Sequence, residues 1–169
     1  MADGTYILIK ENAGATFDEK TVLAVSGKTL GFDSSLDPVM LDANLEPLIF
    51  VCSAFETDLV SDTKVHYLRL PNDKSFTLVG LPRATVAVAP TGSTIEVDVN
   101  DDGSSIFSTV ITIDATEFSS DDATAPCVLT STPTVFAAGS VISIDTDQVG
   151  GTVTGQELIV TLFGYYTAV

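Results

Sequence analysis

Residues 94–100 read Thr94-Ile95-Glu96-Val97-Asp98-Val99-Asn100. Ile95, Val97 and Val99 fall on one side of an extended chain; Thr94, Glu96, Asp98 and Asn100 fall on the other. Successive side chains of a strand point to opposite faces, so strict alternation predicts a strand with one face in a core and one in water. Asp101-Asp102-Gly103 follows, and Asp-Gly between two extended runs is a hairpin signal. Residues 106–113 (IFSTVITI) then predict the returning strand. This pair sits inside residues 76–120, and no residue of that stretch suggests catalysis.

The same grammar extends in both directions. Residues 48–52, 63–70, 76–81 and 84–89 read as strands, with Pro82 predicting an edge or a bulge because it cannot donate to a ladder. After a polar loop at 115–125, short strands are predicted at 127–129 and 141–147. In the latter, Ile142 and Ile144 oppose Ser143, Asp145 and Asp147. Residues 158–166 are apolar on both faces, which predicts a central strand or one with a face in an intersubunit contact. No stretch sustains a 3.6-residue period, so no long helix is expected. Eight or more short strands with turn signals between them predict an all-β fold: an antiparallel β-sandwich of jelly-roll or Greek-key type.

Residues 1–47 predict a β-rich N-terminal arm, and residues 48–169 the sandwich domain. A segment as short as the arm rarely folds without outside cover. Its apolar residues include Tyr6, Ile7, Leu8, Ile9, Leu30, Phe32, Val39 and Met40. Two readings are open: they pack on the following domain, or they dock on another chain. Those eight residues are the candidate partner-docking set.

The chain has 169 residues, 23 acidic and 7 basic, for a net charge of −16. Residues 76–169 hold eleven Asp and Glu against one basic residue, Arg83. Such a surface repels nucleic acid and anionic lipid. The first residues lack the basic and apolar regions of a secretory signal, so synthesis in the cytoplasm is expected. Cys52 and Cys127 fit no metal or redox spacing and read as small buried apolar groups; a disulfide between them is left open.

Catalytic patterns are sparse. The single histidine, His66, lies mid-strand, and no Ser or Cys sits in a nucleophile-elbow context. A glycosidase pair needs a cleft usually lined by aromatics, and the chain has no Trp. Asp98-x-Asn100-x-Asp102-Gly103 matches the start of an EF-hand loop, but position twelve is Thr109 where a bidentate Glu belongs. The simpler reading is a strand face and its turn. No enzyme, no cofactor and no metal are expected.

Residues 56–70 (ETDLVSDTKVHYLRL), 76–78 (FTL), 85–100 with the turn Ala89-Pro90-Thr91-Gly92-Ser93, 103–109 (GSSIFST), 111–120 (ITIDATEFSS), 142–151 (ISIDTDQVGG) and 155–164 (GQELIVTLFG) carry a resemblance. Over residues 56–166 the chain resembles a small β-sandwich domain of tailed-bacteriophage virion structural proteins, found in capsid decoration and tail-fibre-associated proteins. Residues 28–41 (KTLGFDSSLDPVML) resemble virion-docking segments. The resemblance implies a virion structural protein, with a capsid decoration (cement) protein as the first reading. The partners it implies are the major capsid protein and further copies of the chain, as a homotrimer. A tail or fibre protein that binds a host receptor is the alternative. It implies residence on the capsid surface after assembly in the host cytoplasm, and it supplies no catalytic residues.

Overall fold

The computed structural model describes the strand backbones of residues 5–11, 17–23, 28–32 and 38–42, and every residue from 45 to 169. The chain divides into two compact units, Met1–Leu45 and Glu46–Val169.

The first unit holds two antiparallel hairpins. β1 (Thr5–Glu11) pairs with β2 (Phe17–Leu23), and β3 (Lys28–Phe32) pairs with β4 (Pro38–Asp42). The backbones of Tyr6, Ile7, Leu8, Ile9, Leu30, Phe32, Val39 and Met40 belong to these strands. Their side chains lie outside the described residues.

The second unit is an antiparallel β-sandwich. Its strands are β5 (Glu46–Val51), β6 (Asp62–Arg69), β7 (Lys74–Leu78), β8 (Arg83–Thr85), β9 (Ile95–Asp101), β10 (Ser104–Ser105), β11 (Phe107–Thr109), β12 (Ile111–Ile113), β13 (Val128–Leu129), β14 (Val135–Phe136), β15 (Val141–Gln148) and β16 (Ile159–Ala168). One sheet runs β10-β9-β15-β6, with β12 also on β9. The other runs β14-β7-β16-β5, with β8 also on β16. β11 and β13 form a separate pair.

Alternation builds the core. Ile95, Val97 and Val99 of β9 are fully buried, as are Ile142 and Ile144 of β15. From the other sheet come Phe50, Phe76, Val160 and Leu162, and all join one continuous cluster. A two-layer sandwich buries each sheet's apolar face against the other's, which is why a period-two sequence suffices to define it.

Three expected strands are shorter or more broken than their sequence suggests: the one over 76–81 ends at Leu78. Residues 106–113 do not return along β9 as one strand. Ser105 pairs with Asn100, yet Ile111 pairs with Val97, so the chain makes an excursion between them. The excursion is β11, which leaves to pair with β13. Of residues 84–89, only the first two belong to β8; Val86, Ala87 and Val88 bond instead to Phe118 and Gln156. Pro82 stands just before this short strand, where no ladder hydrogen bond is required of it.

Candidate functional site

The sandwich has two outer faces of opposite character. On the first sheet, Glu96, Asp98 and Asn100 of β9 alternate with the core residues. Asp145 of β15 lies directly across from Asp98, and Ser143 across from Asn100. Facing carboxylates repel at this spacing, so fixed donors are needed. Asp145 accepts from the Lys64 amide at 2.7 Å and from Asn100 Nδ2 at 3.1 Å. Lys64 occupies a bulge of β6 with φ of 55°, and the Asp145 carboxylate holds that bulge. Ser105 Oγ donates to Asp98 at 2.6 Å.

Burial pushes the Asp98 carboxyl above its ordinary range; the Ser105 and backbone bonds pull the other way, and Asp147 and Asp145 add repulsion. Burial likewise raises Asp147, beside Asp145. These carboxylates form a hydrogen-bonded acidic face. Asp102, at φ of 49°, accepts from the Val141 amide at 2.9 Å, and Gly103 follows at φ of 87°. Two consecutive left-handed residues are the geometry of a type I′ hairpin turn, which Asp-Gly suits. Thus Asp98, Asn100 and Asp102 each hold a structural bond. Among the described residues, no three His, Cys, Asp or Glu side chains gather in a metal-binding group.

The outer face of the second sheet is different. Its cross-strand rows read Val51–Ile159–Thr85, Ile49–Thr161–Arg83, Pro47–Phe163–Val79 and Tyr165–Thr77–Val135. None of these rows contains a carboxylate. Ile49 is 59% exposed, Val51 56% and Phe163 43%. The strand β16, apolar on both faces in sequence, is therefore central in its sheet and also presents a naked apolar side. Arg83 alone brings charge, and Asp121 pairs with it at 2.8 Å. Beside that pair lies a surface hollow of about 260 Å³, walled by Leu81, Ile111 and Cys127.

Loops meet at one end of the sandwich. The Thr91 amide donates to the Val153 carbonyl, the Thr116 amide to Pro90, and the Val86 amide to Phe118. The segments 86–91, 116–119 and 150–156 are thereby tied together, with Phe55, Phe118 and Val153 exposed around them. Glu56, Thr116 and Glu157 all have left-handed backbones, which is rare for such residues.

The candidate nucleophiles and bases are engaged elsewhere. The His66 ring stands edge-on to Phe50, with centroids 5.6 Å apart. Its Nδ1 is 3.0 Å from the Val51 carbonyl oxygen, so that nitrogen must carry the proton and donate. The open edge of β5 is capped there, as exposed edges generally are. Cys52 and Cys127 are both free thiols, half-buried against the core. Burial pushes the Cys52 thiol up to about 12, opposed by a backbone bond, and raises Cys127 as well. Both stay protonated at neutral pH, which makes them weak nucleophiles.

The apolar face is the feature that sequence reading located least well. Its one signal was the double-sided apolarity of residues 158–166. Ile49 and Val51 gave no comparable hint, because a short apolar run does not reveal which of its faces is covered. Comparison of the chain with family models, curated proteins and solved structures found no match.

Proposed function

We propose that this protein is a structural component of a tailed-bacteriophage virion, and within it a capsid decoration (cement) protein that clamps neighbouring capsid subunits. One observation carries the reading: the sandwich has an acidic face and, on the opposite side, an apolar face whose rows hold no carboxylate. Such a molecule is suited to work by being covered on one side and wet on the other. The likeness of residues 56–166 to virion sandwich domains supports the same assignment.

The mechanism is additive burial. Each copy contributes about 25 cal/mol per Å² of apolar surface removed from water, less the cost of ordering. Repetition over a closed lattice multiplies a small term into resistance to internal pressure. The hairpins of residues 1–47 are the segment assigned to dock on the major capsid protein, with Tyr6, Ile7, Leu8, Ile9, Leu30, Phe32, Val39 and Met40 as its contacts. The sandwich would stand on the capsid surface as a homotrimer. A non-enzymatic role is supported by the engaged imidazole of His66 and the two protonated thiols.

Copy number tests the assignment. Densitometry of purified particles should find the protein at hundreds of copies; tens or fewer would sink the cement reading. The second reading, a tail or fibre protein that binds a host receptor, is favoured by the convergence of the loops around Phe118 and Val153. It is the one a low copy number would leave standing.

A further inference from the structure

We propose that the outer face of the β5–β16–β7 sheet is the surface on which copies of this chain meet to form a closed homo-oligomer. Its exposed apolar side chains, Ile49, Val51, Val79, Val135 and Phe163, lie in adjacent cross-strand rows. Together they leave on the order of 400 Å² of apolar surface open, within the range of the largest patches on monomers, about 300–600 Å². Pro47, Ile159, Thr161 and Tyr165 fill the spaces between them.

Charge selects the occupant. The chain carries −16, and the opposite outer face holds Glu96, Asp98, Asp145 and Asp147. A face evolved to meet a basic partner would present carboxylates, since complementary charge speeds and orients encounter. This face has none on any of its rows. A carboxylate there would be pressed against another copy of the same acidic chain in a self-assembly, and like charges brought together are destabilising. The one charged residue in these rows, Arg83, is already paired to Asp121 of its own chain, so the face of an otherwise acidic protein can meet another copy without like charges opposed. Phe163 and Tyr165 at the centre also fit, because interface cores are depleted of charge and enriched in aromatics.

The inference holds whether or not the protein belongs to a virion, so a failed particle test would leave it untouched. Sedimentation velocity of the full chain at low and high micromolar concentration should give a multiple of its 17.7 kDa mass. Three is the order put forward above. Raising sodium chloride to molar concentration should leave the assembly intact, because no ion pair is broken. The double variant Ile49→Asp/Phe163→Asp should raise the dissociation constant at least 100-fold while keeping the β circular-dichroism spectrum. Thr161→Arg, a change at one polar site in the middle of the face, is a second variant that should dissociate the oligomer if the first fails to fold. Tyr67→Asp, on the acidic side, should leave it assembled. A monomeric wild-type chain, dissociation by salt, or an assembly unaffected by folded face variants would each overturn the proposal.

Discussion

At the scale of single residues, this sandwich depends on a side chain that is missing. A Cβ on Gly164 would meet the Thr77 carbonyl oxygen and the ring of Phe76. Phe76 in turn packs edge-on to Tyr166 at 5.1 Å and against Phe136 at 6.3 Å. The ring cannot retreat without disturbing both neighbours, so Gly164→Ala should destabilise the fold by about 2–3 kcal/mol. Urea unfolding will read this; a loss below about 0.5 kcal/mol would mean the aromatic cluster yields freely. The acidic residues make a different prediction. Asp98, Asp101 and Asp147 all have carboxyls raised chiefly by burial. One Asp101 oxygen is buried without a hydrogen-bond partner. A raised native pKa means the folded state holds protons that the unfolded state has lost, so stability falls as pH rises through that window. Asp114, held below its ordinary range by Thr124, works in the opposite direction from an exposed site. The raised groups Asp98, Asp101 and Asp147 predict that acidifying from neutral towards the upper end of the carboxylate range should raise Tm. Asp98→Asn should flatten part of that rise, because an amide at this position has no charge to desolvate; an unchanged pH profile would contradict the assignment.

At the scale of elements, legibility varied with how local each strand's partners are. The β9 strand was readable residue by residue, since burial of Ile95, Val97 and Val99 follows from alternation alone. The turn after it was equally plain, because Asp102-Gly103 suits the left-handed pair of residues that the hairpin needs. The return strand was not. IFSTVITI reads as one extended run, yet residues between Ile106 and Ile111 leave β9 for β13, some twenty residues further on. Nothing within the run announces a competing partner so distant in sequence. The turn also bears on the metal spacing Asp98-x-Asn100-x-Asp102-Gly103. Asp98 bonds to Ser105, Asn100 to Asp145 and Asp102 to Val141, so a cation would have to displace all three contacts. Thermal melting with calcium and with chelator should therefore coincide; a rise of several degrees with calcium would restore the ion.

At the scale of the whole molecule, the second unit contains one continuous core. Among the described residues, every member of the buried cluster lies within Glu46–Val169. Residues 46–169 expressed alone should fold with one cooperative transition, followed by circular dichroism on heating. Failure to fold would make residues 1–45 an integral part of the sandwich. Local sequence pattern was enough for the class of the fold, the turn at Asp102-Gly103 and the inward side of β9 and β15. It could do so because side-chain alternation and turn chemistry are local, and each residue's choice needs only its neighbours. Sheet order and register alone bring Asp98 opposite Asp145, seat His66 on the β5 edge, and gather Ile49, Val51 and Phe163 on one face without carboxylates. Those relations join residues up to about a hundred positions apart, through sheet order and register. An apolar residue in a strand carries the same sequence signature whether its side of the sheet is buried in the core or left bare for a partner.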